Sequence, residues 1–469
     1  MLAREVTAPA LSTAACRLLG CRYPIVLAGM GGVSRSELVS AVTAAGGFGF
    51  LGMVREAPAL MRREIERVRS AGHSNFGVNI IPAATDADLL GRQIDTCIEL
   101  EVPVVGLFWD VDARAISRLR EAGIRVVHQV GSPAAAKEAV AAGAELIIAQ
   151  GVEAGGHVWG ERPLWQLLPE IVASVKVPVL AAGGLGSGAD LLTALALGGD
   201  GIVLGTAFMA TVEAFAHDAH KQRLVAAGAG DTVLTTAFHI NWPAGAKVRV
   251  LNGPVTRGEC GDPMASEPTI IGDEEGRPIY LFSTDSPLRS MTGTFEDMAL
   301  YAGEGVGAIE DIVPAGERLR RILGEAQDLL GALPQGDVPD TSRASQVCYV
   351  GEMSGAYMGF LEDAELAAIL GGLRNTLRHL IGTAPSVMRG RLAAWVVAID
   401  QALRRLPNAT PAEVSVAELP ALAPKIAQDG IRNLVVGLAA FLRDYAAGRA
   451  LAKNPDRMVS SSEGSARVE

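Results

Sequence analysis

The chain has 469 residues, more than one compact domain holds, which predicts one large domain plus a smaller one. Hydrophobic residues make up 49% and charged residues 20%, a globular profile with ample core material, and a formal net charge of -11 without a basic cluster argues against non-specific nucleic-acid binding. Five cysteines with no CxxC pair argue against a disulfide framework or a zinc site, and no apolar run approaches the roughly 20 residues that span a bilayer. The N-terminus shows no basic-then-apolar signal pattern, so a cytoplasmic location is expected, with neither membrane nor nucleic acid as partner.

In chain order, short apolar and often β-branched runs alternate with Ala-, Leu- and charge-rich segments of helical spacing. The runs are residues 24–28, 48–51, 77–81, 102–107, 124–130, 146–149, 177–180 and 201–204. The clearest helical segments between them are 36–45, 56–70, 86–100 and 133–142. The runs are apolar on both faces, as parallel strands covered by helices are, and this many strand–helix alternations predict an α/β fold of the (β/α)₈ TIM-barrel type. A doubly wound open sheet also alternates, but it carries its glycine-rich loop after the first strand. Here the richest glycine loops follow the sixth and seventh runs. The barrel domain is read as residues 1–330, with its core at 22–217 and a turn-rich excursion over 218–300 that interrupts any regular pattern. Helical character returns at 295–301 and 316–330. Residues 331–345 read as a linker, 346–458 as a C-terminal helical domain with helices at 364–373 and 393–406, and 459–469 as a disordered tail.

In a barrel, catalytic groups sit where the strands end and the βα loops converge. That rule selects Ala28, Gly29 and Met30 after the first strand, Asn79 after the third, and His128 and Gln129 on the fifth. The sixth is followed by Gln150-Gly-Val-Glu-Ala-Gly-Gly-His157, the seventh by Gly183 and Gly184, and the eighth by Gly205 and Thr206. Barrels bind phosphate through the loops after strands seven and eight, where glycine lets backbone N–H groups approach an oxyanion. His157 ends a glycine-rich loop, can project into the mouth and can exchange a proton near neutral pH, which suits a general base. The plainer alternative for it is a satisfied structural histidine. Glu153 is either a second acid or base or a structural group that caps a turn or pairs with Arg162, and the structural role is favoured. Asn79 and Gln150 both donate and accept, as a flavin ring edge requires, or else bond local turns. His217 and His220, three apart on an expected helix, lack a third ligand and read as a solvated face rather than a metal site. His239 has no assigned place.

Five segments now carry a resemblance: Pro24-Ile-Val-Leu-Ala-Gly-Met-Gly-Gly32, Phe76-Gly-Val-Asn79, Gln150-Gly-Val-Glu-Ala-Gly-Gly-His157, Ala181-Ala-Gly-Gly-Leu185 and Leu204-Gly-Thr206. Their order and spacing resemble the nitronate monooxygenase family, formerly 2-nitropropane dioxygenase. Weaker similarity continues through Asp231-Thr-Val-Leu and Tyr301-Ala-Gly-Glu-Gly-Val-Gly. The Glu-Ala-Gly-Gly-His string is shared with FMN-dependent enoyl-acyl-carrier-protein reductases. The resemblance implies an FMN barrel that oxidises alkyl nitronates or nitroalkanes with O₂ and needs no metal. Ala28, Gly29 and Met30 would flank the isoalloxazine, Asn79 and Gln150 would contact it, and Gly155 would lie beside it. Gly184, Gly205 and Thr206 would hold the phosphate, Val203 and Leu204 complete the cofactor-binding set, and His157 matches the catalytic histidine. The chain departs from the family pattern at Gly29, where proline is common, at Val158-Trp159, where Arg-Gly is common, and at Val203, where glutamine is frequent.

The competing functions are an FMN- and NAD(P)H-dependent reductase of an enoyl thioester or quinone, and a non-catalytic flavin-binding scaffold. The intact His157 loop argues against the scaffold, and Gln150, where the enoyl reductases have Glu, favours the nitronate reading. The C-terminal helices are open to three roles: a homodimer interface, a lid or a docking module.

Overall fold

Apolar runs without a polar face cannot sit at the edge of a sheet, and in the computed structural model they close on themselves. The structure describes residues 11–243, 245–264, 268–331, 363–383 and 386–403, together with residue 438. The strands of the first half are β1 (Ile25–Leu27), β2 (Phe48–Gly52), β3 (Gly77–Ile80), β4 (Val104–Phe108), β5 (Arg125–Val130), β6 (Leu146–Gln150), β7 (Gly156–Val158), β8 (Val179–Ala182) and β9 (Ile202–Leu204). All but β7 form a closed barrel in the order β1-β2-β3-β4-β5-β6-β8-β9. Closure is parallel, Val26 facing Val203 and Leu27 facing Leu204. This is the expected TIM barrel, and its strands coincide with the apolar runs to within two residues at each end.

Large and small residues interdigitate inside the barrel. The Phe50 ring lies in the space left by two glycines: a Cβ on Gly77 would stand 2.4 Å from it and one on Gly106 3.1 Å from it. Phe48 packs edge-on against Phe50, ring centroids 5.1 Å apart. Burying such a ring contributes on the order of 1.5–3 kcal/mol. Ala15 and Leu19, on the helix Ala14–Leu19, join the same apolar cluster. The helix Ser36–Ala44 has no capping side chain of its own. Glu64, on the helix Pro58–Ser70, does that work across space, accepting from the Ser36 N–H at 2.9 Å and its hydroxyl at 2.7 Å.

The excursion is more regular than its turn-rich sequence suggests. It holds β10 (Thr232–Thr235), β11 (Lys247–Leu251), β12 (Ile270–Glu274), β13 (Arg277–Tyr280) and β14 (Met291–Gly293). These make two three-stranded antiparallel sheets, β10-β11-β7 and β13-β12-β14. The helix expected over 295–301 is also replaced: a single 3₁₀ turn covers Phe295–Asp297. Beyond it the main chain is taken by tertiary pairing, with Leu251 N–H donating to Leu300 O at 2.8 Å and Val250 bridged to Tyr301. Helical propensity gives way to a partner strand.

The chain divides into two compact units, Met1–Ala326 and Gln327–Glu469. In the second, the helices Asp363–Thr383 and Ser386–Leu403 pack on one another, and Asp400 accepts from Arg374 at 3.0 Å and Arg378 at 3.2 Å. Residues 332–345 of the expected linker, the expected helical residues 404–406 and the tail at 459–469 lie outside the described residues. Among the described residues no helix is long and apolar enough to cross a membrane, and no group of three or more His, Cys, Asp or Glu could hold a metal ion.

The barrel mouth tolerates little at Gly52, where a Cβ would stand 1.9 Å from the Met30 carbonyl oxygen, a backbone atom that cannot swing away. Gly52→Ala is therefore expected to destabilise the protein by about 1–3 kcal/mol, as overpacked sites do, measured by urea denaturation. An unchanged midpoint would show that the first loop yields freely.

Candidate active site

The loop after β6 turns tightly and then becomes β7. Glu153 caps the next helix: both its carboxylate oxygens accept from Leu164 N–H, at 3.0 and 3.2 Å, while Arg162 pairs with Glu170. The cap expected of Glu153 thus forms and the pairing with Arg162 does not. Burial pushes the Glu153 carboxyl above its ordinary pKa. The segment Gly156–Val158 pairs with β11, setting His157 opposite Val248 and Gly156 opposite Arg249. Arg249 is buried and donates to the Val152 carbonyl from Nε at 3.1 Å and Nη2 at 2.9 Å, while pairing with Glu304 at 3.1 Å. From the barrel side, Gln150 Nε2 donates to His157 O at 2.8 Å and its Oε1 accepts from Trp159 N–H at 3.3 Å. Gln150 was expected to offer its amide to a ring edge, but both ends of that amide are occupied by the β7 main chain. Gly155 lies against the main chain of 302–303, and a Cβ there would be 2.4 Å from Gly303 N.

So fixed, the His157 side chain enters an aromatic enclosure. Trp242 stacks on it with centroids 3.3 Å apart at 10°, and Trp109 stands edge-on at 6.4 Å. Trp109 holds φ at +83°, a strained value for a bulky residue, which aims its indole at this cluster. Tyr301 Oη lies 3.4 Å from His157 Nε2 and 2.8 Å from Thr284 O. A carbonyl only accepts, so the single tyrosine proton goes to Thr284, and Oη accepts from His157 Nε2–H. The neutral imidazole therefore carries its proton on Nε2 and its lone pair on Nδ1, which is enclosed and has no protein partner. Burial drives the His157 pKa well below 6.5, and the nearby Arg55 cation adds to that shift, so the ring is neutral at physiological pH.

A cavity of about 500 Å³ opens at the ends of the barrel strands. Ala28, Gly29, Met30, Asn79, Gln150, Gly155, His157, Gly184, Val203, Gly205 and Thr206 all line it. Leu204 does not: strand alternation turns Val203 into the barrel interior and Leu204 outward, where it is buried. Asn79 Nδ2 donates to Gly29 O at 3.2 Å, and a Cβ on Gly29 would stand 2.2 Å from the Asn79 Cβ. Any larger residue at 29 would displace Asn79, which accounts for glycine in place of the proline the resemblance anticipates. Gln129 lines the cavity, whereas His128 is buried in the wall with Nδ1 3.0 Å from Gln129 O. His220 corrects a further expectation. It is fully buried rather than on a solvated face, with Nε2 3.1 Å from Tyr301 O.

Several residues of the site escape sequence reasoning. Tyr301, Trp242 and the stretch 284–286 come from the excursion and its return, segments whose turn signals, helical character and weak similarity single out none of them. Arg55 could have been found, since it follows β2 and the strand-end rule applied there points to it.

The nitronate monooxygenase family profile matches residues 12–325. The chain belongs to that family. It is an enzyme of this group of flavin-dependent oxidoreductases. Among curated relatives it is 37% identical, over 48% of its own length, to a (3aS,4S,5R,7aS)-5-hydroxy-7a-methyl-1-oxo-octahydro-1H-indene-4-carboxyl-CoA dehydrogenase of Mycobacterium tuberculosis. That match spans 63% of the relative, less than two thirds of it. Among solved structures, FabK from Thermotoga maritima is similar at 31% identity and a TM-score of 0.59, over 68% of this chain and 98% of that one. Nitroalkane oxidase from Streptomyces ansochromogenes is similar at 30% identity and a TM-score of 0.55, over 67% and 98%.

The family's histidine loop depends here on Arg249. Arg249→Leu removes two donors from Val152 O and is expected to cost about 1–3 kcal/mol of stability. It should also speed amide hydrogen exchange over Gly156–Val158 relative to the barrel strands. Exchange at the wild-type rate there would show that the strand holds without the guanidinium.

Proposed function

We propose that this chain is an FMN-dependent nitronate monooxygenase that oxidises alkyl nitronates, and nitroalkanes through them, with O₂ as the electron acceptor and His157 as the base. The observation that carries the reading is the pairing of a neutral imidazole, its Nδ1 lone pair unpartnered, with the Arg55 cation close by. A carbon acid meets both needs. Its proton passes to Nδ1, and the anion that remains is stabilised by the guanidinium. Tyr301 keeps the other ring nitrogen protonated, so the base stays in the productive tautomer. Trp242 and Trp109 enclose the same ring.

The cavity suits FMN in size and donor chemistry. Gly183 and Gly184 hold φ at +113° and +68°, conformations that leave the loop after β8 without side chains at the mouth. The main-chain N–H groups of Gly184, Gly205 and Thr206 donate to no acceptor among the described residues, and all three residues line the cavity, as a phosphate subsite requires. Ala28, Gly29, Met30, Asn79, Gly155 and Val203, which line the same cavity, would hold the ring system. When bound, FMN supplies the electron-accepting chemistry, while the protein orients the substrate and handles the proton.

A second reading is favoured by the mycobacterial relative, whose name specifies a carboxyl-CoA dehydrogenase. Oxidation of an acyl thioester also begins with a proton on the carbon beside an electron-withdrawing group, so the same base would serve. Anaerobic mixing of the FMN-loaded protein with propyl nitronate separates the two. Bleaching of the flavin by nitronate is expected, and His157→Asn should retain FMN yet lose about 10²–10⁴-fold in turnover of neutral nitroalkanes. Bleaching by an acyl-CoA or by NADH, with no response to nitronate, would overturn the nitronate reading, and undiminished turnover in His157→Asn would remove the base.

A further inference from the structure

Thr284, Asp285 and Ser286 form one wall of the cavity, and their relative exposures are only 5%, 9% and 7%. Three consecutive buried polar side chains need partners, and their protons can be traced one by one. Thr284 Oγ1 donates to Ile240 O at 3.2 Å. Ser286 Oγ lies 3.3 Å from His220 Nδ1. His220 Nε2 faces the Tyr301 carbonyl, which only accepts, so Nε2 holds the ring proton. Burial keeps that ring neutral, its pKa lowered to about 4. His220 Nδ1 is then a lone pair, and it takes the Ser286 proton. Asp285 Oδ1 accepts from Arg277 at 3.1 Å, while Oδ2 is enclosed and without a partner. Every side-chain proton on this wall is committed to the protein. What remains unpaired is a set of lone pairs on three residues that line the cavity: Thr284 Oγ1, Asp285 Oδ2, which a substrate reaches only as the wall opens onto it, and Ser286 Oγ.

We propose that this wall is an acceptor subsite that receives an aliphatic hydroxyl group of the substrate, at a distance from the carbon that is oxidised. The inference rests on the reading that the cavity holds FMN and a carbon acid, and it adds the class of substrate: hydroxylated rather than plain alkyl compounds. Position favours substrate over cofactor. Thr284 O accepts from Tyr301, the tyrosine that touches His157, so the wall stands over the reacting end of the site. Charge favours a neutral donor over an ammonium. Arg55 and Arg277 on the cavity face Glu56, Glu274 and Asp285, and Arg35 offsets Glu56 at 3.5 Å, so the charges balance and a cation gains no net attraction.

The test compares nitropropanol with nitropropane on the FMN-loaded full chain, using wild type, Asp285→Asn and Ser286→Ala. Wild type is expected to prefer the hydroxylated compound in kcat/KM. That preference should fall by about tenfold or more in Asp285→Asn and about threefold in Ser286→Ala, the range for losing a charged and a neutral hydrogen-bond acceptor. Where Asp285→Asn fails to fold, Ser286→Ala carries the test. Dissociation constants read from the shift in flavin absorbance give the same preference without turnover. If both compounds bind and neither is oxidised, the nitronate reading fails alone while the subsite is still judged. A preference unchanged in both variants would overturn the subsite, as would tighter binding of aminonitropropane than of nitropropanol. Weaker FMN binding in Asp285→Asn, with the preference intact when the variant is assayed in excess FMN, would also overturn it, assigning the wall to the ribityl chain instead.

Discussion

The pairing of β7 with β11 is the constraint on which the site depends. A glycine-rich loop after a barrel strand has no preferred course, and ordering each of its residues costs about 1–2 kcal/mol of backbone entropy. Here the cost is offset by a ladder to a strand some ninety residues later, by two donors from Arg249 to one carbonyl, and by the Gln150 amide on the opposite side. The loop that carries His157 becomes the edge of a sheet that belongs to the excursion. His157 is therefore placed by the excursion as much as by the barrel, and the same excursion brings Trp242 against one face of its ring.

That enclosure sets the protonation of the ring. A histidine at the open mouth of a barrel would titrate near its ordinary pKa of about 6.5 and exchange freely between tautomers. Between Trp242 and Trp109, with Arg55 close by, the charged form is disfavoured, and Tyr301 selects which nitrogen keeps the proton. His220 in turn fixes Tyr301 through its carbonyl. The two histidines thus act on one tyrosine from opposite ends, His220 holding its main chain and His157 using its hydroxyl.

The barrel was legible because its signal is local. Each strand is a short apolar run, and each catalytic-end residue follows from where a run stops, which is how Ala28, Asn79, Gln150, His157, Gly184 and Gly205 could all be placed on one mouth. Leu204 shows the limit of that rule, since adjacent strand residues face opposite ways and only Val203 reaches the cavity. The excursion was illegible because its order is non-local. Strands of three to five residues, separated by Pro- and Gly-rich turns, carry too little alternation to register, and their partners lie far along the chain. Tyr301 illustrates this: it sits where helical propensity was read, yet its contact with His157 spans 144 positions. Gln150 lines the cavity as its place at a strand end predicts, and its amide bonds the adjacent main chain, the local-bonding alternative that the residue type leaves open.

The most direct measurement is nitrogen NMR of the His157 imidazole in ¹⁵N-histidine-labelled, FMN-loaded protein, titrated downward from neutral pH. With its folded pKa depressed, the ring should remain neutral, protonated on Nε2, as pH falls through 6.5 and well below it. The linked contribution to stability is then present above the unfolded pKa of about 6.5 and lost as the solution becomes more acidic. A ring that titrates at or above 6.5, or that carries its neutral proton on Nδ1, would contradict the enclosed, Tyr301-directed base.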